Sequence, residues 1–254
     1  MIDEIRITKA IIRDSVDEFL ESLDVEVAIA GGGPSGLVAA KYLADNDIDV
    51  ILFERKLSVG GGMWGGGMMY PRIVVQTEAK EILDDFGIKT TEKDDLYVAN
   101  SIESVVKITA NTIDSGARIF NGISVEDVMI RENEITGFVV NWSSILMAGL
   151  HVDPVTIGSK FCIDATGHAT EICRIVQGKV GKLNTPSGEI EGERSMWAEK
   201  SENLVVENTR EVYNNLYVAG MAANAVFGAP RMGPIFGGML LSGRRVAELI
   251  INRL

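Results

Sequence analysis

Three glycines, Gly31, Gly33 and Gly36, stand at G-x-G-x-x-G spacing behind an apolar run at residues 25–30. In that pattern Gly31 permits a tight turn, Gly33 lets backbone approach a pyrophosphate, and Gly36 lets helix pack on strand. A helix is predicted from Ser35 to about Asn46, and its N-terminus offers free N–H groups and a partial positive charge to a diphosphate. A second apolar run, residues 50–53, ends at Glu54. Glu54 falls close to where a carboxylate accepts the adenosine ribose hydroxyls. Glycines in any strand-to-helix turn can mimic the fingerprint alone. Here strand, glycines, helix, strand and acid arrive in order, the context that a dinucleotide site requires.

Three further residue types could carry chemistry. His168 follows Thr166–Gly167 at the end of a strand predicted at 161–165, the edge where doubly wound folds bind ligands. It reads either as a hydrogen-bonded cap on that turn or as a metal ligand. His151, the other histidine, has an ordinary pKa of about 6.5 that allows proton transfer; a dinucleotide contact and simple space-filling are the alternatives. Arg231 sits between Pro230 and Met232, in a stretch too apolar to need a surface arginine. Its planar guanidinium suits a small carboxylate, or it forms a structural salt bridge. Cys162 in an apolar strand and Cys173 in a predicted helix read as inert packing.

The elements that must position these groups follow from pattern. Ile12, Val16, Phe19, Leu20 and Leu23 recur at helical spacing, an amphipathic helix that either covers the sheet or meets another subunit. Residues 58–72 hold six glycines with Met63, Trp64, Met68, Met69 and Tyr70. So apolar a loop is expected to lie against the ligand, with Gly62 near the dinucleotide. Helices are predicted at 77–86, 101–115 and 237–254. Strands are predicted at 117–120, at 124–130 and 135–141 as a hairpin, and at 216–219. Residues 177–200 turn polar and glycine-bearing and read as an irregular loop.

The whole chain is one α/β dinucleotide-binding domain, with a middle insertion at roughly 60–155 contributing to the substrate site. The 254 residues suffice for a substantial core, and a net charge of −12 argues against nucleic acid or an anionic membrane as partner. An anionic dinucleotide would then be held by local amides and a few arginines. Two cysteines imply no disulfide framework and an intracellular, cytoplasmic setting. No apolar run approaches the roughly 18 residues of a membrane span.

The return of a strand ending ATG near residue 166 and of LYVAG near residue 218 resembles the glutathione-reductase-type, FAD/NAD(P)-binding Rossmann-like fold, with an interrupted nucleotide-binding domain and a β-meander. Flavoproteins of that type usually end the last strand Gly-Asp. Here the pair is Gly220–Met221, and methionine cannot accept the ribityl hydrogen bond. A flavin-dependent oxidoreductase is thereby weakened.

More specific stretches, AIIRDSVDEFLESL, GGGMWGGG, NW leading to HVDP, ATGH, NTREVYNNLYVAGM and GAPRMGPIFGGMLLSG, resemble the thiamine thiazole synthase family over nearly the whole chain. The resemblance implies NAD as substrate: nicotinamide leaves, the ADP-ribose isomerises, glycine condenses and sulfur enters to give an adenylated thiazole carboxylate. It implies Fe(II) on Asp153 and His168, with His151 and Val152 against the bound dinucleotide. It also implies glycine's carboxylate on Arg231, adenine against the Val125 main chain, Ser35 and Arg55 beside phosphates and ribose, and Met221 beside the dinucleotide. Some family members donate sulfur from a cysteine just before x-Asp-Pro. That position is His151 here, which implies the branch that takes free sulfide and turns over repeatedly. Family members form octamers, and a shared iron site would need at least a dimer. A ribose-1,5-bisphosphate isomerase activity, needing neither iron nor glycine, is the remaining alternative.

Overall fold

The computed structural model describes residues 2–254. In chain order the elements are α1 (Glu4–Glu21), β1 (Asp24–Ala30), α2 (Pro34–Ala44), β2 (Val50–Glu54), β3 (Arg72–Val75), α3 (Thr77–Asp85), β4 (Thr90–Lys93), β5 (Leu96–Asn100), α4 (Ser101–Asp114) and β6 (Arg118–Asn121). They continue with β7 (Ile123–Arg131), β8 (Glu134–Trp142), α5 (Ser143–Met147), β9 (Val155–Asp164), α6 (Glu171–Val180), α7 (Ala198–Glu207), β10 (Glu211–Tyr213), β11 (Leu216–Val218), α8 (Met221–Val226) and α9 (Gly237–Ile251).

The main sheet runs β10-β11-β9-β1-β2-β6, with parallel pairing from β11 to β6. A β7–β8 hairpin pairs antiparallel with β9 and makes the meander. A parallel strand covered on both sides is apolar on both sides, and β1 and β2 divide their residues accordingly. Val27, Ile29, Val50 and Leu52 face a core shared with α2, α3, α4 and α9. Ala28, Ala30, Ile51 and Phe53 face a second core under the hairpin and α6. This is the α/β, glutathione-reductase-type architecture expected above.

Two glycine contacts hold the turn after β1. Gly31 has φ +106°, and a Cβ there would lie 2.4 Å from the Ala165 carbonyl oxygen. A Cβ on Gly36 would lie 2.1 Å from the carbonyl oxygen of Gly31. Strand end, helix start and the turn after β9 therefore touch backbone to backbone.

The structure departs from the sequence reading in several places. Helix α1 buries none of its residues, so it does not cover the sheet. Ile5, Ile11, Ile12, Val16 and Leu20 face outward, and only Phe19 packs inward, edge-on to Phe120. Strands β3, β5 and β4 form a small antiparallel sheet that was not expected; β4, TTEK, is largely exposed and shows no alternation to read. Within residues 60–155, β6 rejoins the main sheet beside β2. Helix α6 runs on to Val180, and α7 begins at Ala198, so the irregular polar stretch is shorter than 177–200. Helix α7 escaped notice because its buried face is Ser201, Glu202 and Val205, mostly polar.

Glu202 lies where α7 meets α9. Its Oε2 accepts the Gly238 N–H at 2.7 Å, while Oε1 has no partner. Burial pushes its pKa up to about 7. Because the folded value lies above the unfolded one of about 4.3, Glu202 favours folding at low pH, and that contribution is lost as pH rises through 7. Glu202→Gln should therefore gain stability over the parent between pH 5 and 8, by on the order of 2 kcal/mol, read as a widening gap in Tm. Gly36→Ala should lower Tm by roughly 5–10 °C through overpacking against the Gly31 carbonyl, measured by calorimetry.

Candidate functional site

A cavity of about 610 Å³ opens where β1, β2 and β9 end, lined by residues that follow each strand. That is the edge at which doubly wound sheets take ligands. Gly31, Gly33 and Ser35 form its floor. A Cβ on Gly33 would meet nothing within 4 Å, so no protein atom requires glycine there, and the room is open to a ligand's approach. Gly36 lies behind the floor and serves packing instead. The residues present fit a dinucleotide: open backbone at Gly33, a helix start at Pro34 with no side-chain cap, and a carboxylate at the second strand's end.

That carboxylate is Glu54, buried, with Oε2 accepting the Gly32 N–H at 2.9 Å and Oε1 accepting the Lys56 N–H at 2.8 Å. Glu54 thus ties the glycine turn to its own strand while also lining the cavity. Arg55 lines the same wall and pairs with Glu171. Val125 lines it too, at a point where the β7–β8 register shifts between Val125 and Asp127. Gly62 and Met68 contribute from the glycine-rich loop. That loop is tied to the floor by Gly60 N–H donating to the Gly32 carbonyl at 2.6 Å. Its other apolar side chains do not meet the cavity: Met63 is core, while Met69 and Tyr70 face out.

The opposite wall carries His168, Met221 and Arg231. Asp164, fully buried at the end of β9, shapes the turn that presents His168. Its Oδ1 accepts from the Thr166 N–H at 3.0 Å and hydroxyl at 2.6 Å, and its Oδ2 accepts from the Cys173 N–H at 3.0 Å. His168 Nδ1 lies 2.5 Å from Glu193 Oε1. The other oxygen of Glu193 lies 4.0 Å from Arg231 Nε. Sequence reasoning missed Glu193, Glu171 and Lys56.

His151, Val152 and Asp153 are not brought into this cavity. They are exposed just before β9, and Val152 is held through its carbonyl by Asn141 Nδ2 at 3.2 Å. His168 follows the far end of the same ten-residue strand, so about 30 Å of extended chain separates the two groups. Within one chain Asp153 and His168 therefore do not form the expected iron pair. Among the described residues no group of three or more His, Cys, Asp or Glu converges as a metal site. A single chain does not supply a donor set that fits the iron.

Both thiols are remote from reaction. Burial pushes the Cys162 thiol up to about 12. Burial and the neighbouring Asp164 carboxylate push Cys173 well above its ordinary value. No helix among the described residues is long and apolar enough to cross a membrane.

A family model described as the Thi4 family matches residues 8–236. The thiamine thiazole synthase of Methanothermobacter thermautotrophicus is 59% identical over 255 residues, covering 100% of this chain and 99% of that protein. That of Pyrococcus horikoshii is 52% identical over the same shares. The crystal structure of Thermovibrio ammonificans THI4 superposes with a TM-score of 0.95 at 43% identity, covering 99% of this chain and 98% of that one.

Neither cysteine should react with Ellman's reagent at pH 8 in the folded protein, and both should react after guanidinium unfolding. A thiol titrated at once in the native state would contradict the burial described here.

Proposed function

The chain belongs to the Thi4 family and works as a thiamine thiazole synthase; from that premise we propose that it builds its product from NAD, glycine and free sulfide, with Fe(II), over repeated turnovers. The observation that carries the sulfur assignment is chemical. The position before Val152-Asp153-Pro154 is His151, which has no sulfur to give. The two thiols that exist are fully buried and held in their protonated form. Sulfur must then come from outside the chain.

The remaining assignments rest on the cavity. Gly33 and Ser35 take the diphosphate on backbone amides, Gly31, whose N–H goes to the Phe53 carbonyl at 2.8 Å, shapes the turn that presents them, and Glu54 and Arg55 lie beside the ribose. Val125 borders the adenine end, and Met221 packs against the dinucleotide from the opposite wall. Arg231 takes the glycine carboxylate as a charge-assisted pair, which orients the amine toward the sugar carbon it attacks. Iron, when bound, supplies Lewis acidity and an open position for sulfide. Its protein donors would be His168 and, because the two lie at opposite ends of β9, Asp153 of a second copy of the chain. His151 and Val152 of that copy would arrive with it. The site is then shared between subunits of a homo-oligomer, and the protein acts among small molecules rather than on nucleic acid or membrane.

The test is anaerobic incubation with NAD, glycine, sulfide and Fe(II), followed by mass analysis of both product and protein. The expected result is adenylated thiazole in excess over enzyme, with the intact mass of the chain unchanged. Product that stops at one per chain, with sulfur lost from the protein, would overturn the sulfide assignment. Unaltered NAD would overturn the whole reading.

A further inference from the structure

Glu193 is joined to both His168 and Arg231, and its position is set by the backbone around it. The strap from Glu191 to Trp197 is tied to the α8 region by N–H donors of Glu191 to Val226 (3.0 Å), Gly192 to Ala225 (3.0 Å) and Arg194 to Ala229 (3.0 Å). In return Arg231 donates its N–H to the Arg194 carbonyl at 3.1 Å, and Trp197 donates to that of Arg231 at 3.1 Å. Glu193 therefore enters from a fixed strap, with its side chain 18% exposed between two half-exposed partners. Ion pairs between half-exposed groups add little stability, so a stabilising role does not account for the arrangement.

We propose that Glu193 is the positioning residue of this wall. By accepting the Nδ1 proton it holds neutral His168 in the Nδ1–H tautomer and leaves the Nε2 lone pair for a ligand. Its second oxygen keeps the Arg231 guanidinium on the same wall, so one carboxylate aligns both groups. Its use in metal binding rests on the reading of His168 as an iron ligand; the tautomer itself does not.

The experiment is a solid-state ¹⁵N spectrum of histidine-labelled, metal-free protein at pH 9. The chain has only two histidines, and His151→Gln assigns the signals. His168 should be Nδ1–H in the parent and in Glu193→Gln, whose amide oxygen accepts the same proton. It should lose that preference in Glu193→Ala. Tm should stay within a few degrees in both variants. An Nε2–H tautomer in the parent, or the same tautomer in parent and Glu193→Ala, would overturn the proposal. Fe(II) titration of the same proteins should show a 10–100-fold weaker site in Glu193→Ala, and an unchanged affinity there would also count against it. A parent that binds no Fe(II) would sink the iron reading while leaving the tautomer result to judge Glu193.

Discussion

Everything at the mouth of the cavity depends on backbone meeting backbone where β1 ends. The Gly31 carbonyl occupies the space a side chain on Gly36 would need, and the Ala165 carbonyl occupies the space a side chain on Gly31 would need. Two stretches far apart in sequence, 31–36 and the turn at Ala165, are drawn to a separation that any methyl group would break. The start of α2, the Glu54 carboxylate and the turn bearing His168 become neighbours only because of that approach.

The acids around the cavity need not repel the anionic ligand proposed for it, although the chain carries a net charge of −12. Glu54 accepts two backbone N–H groups, and Asp164 accepts two more and a hydroxyl. Glu171 is matched by Arg55, and Glu193 by His168 and Arg231. Each carboxylate is answered locally by donors, so its negative charge is largely spent on organising the wall. A diphosphate held as proposed would meet the open amide floor at Gly33 and no unanswered carboxylate. The overall field matters less than these short-range pairings, because charges beyond about 10 Å are screened at ordinary salt.

The strand–helix–strand half of the cavity was legible because its pattern is local. Gly31, Gly33, Gly36 and Glu54 lie within one strand–helix–strand unit, where spacing alone fixes neighbourhood. Glu193 was not legible, since nothing in the run Glu189, Glu191, Glu193 singles out one acid. Only the pairing of its strap with the 225–231 stretch turns it toward His168. Helix α7 hid for a related reason: buried polar residues at Ser201 and Glu202 erase the apolar stripe that marks a helix. Asp153 and His168, paired by the resemblance, stand apart within one chain because a ten-residue extended strand lies between them.

The strand order also governs how the chain comes together during synthesis. The central strand β1 pairs on one side with β2, which follows soon after, but on the other with β9, whose partners begin at Gly158. More than a hundred residues must leave the ribosome before that edge is closed, on the order of ten seconds at ordinary elongation rates. Until then β1 carries an open hydrogen-bonding edge that is apolar from Val27 to Ala30, the kind of template that invites pairing with other chains. β11 follows later still, and the contacts of α9 wait for the last residues of the chain. Truncation before β11 leaves the sheet unfinished, and truncation before α9 leaves one of its faces uncovered.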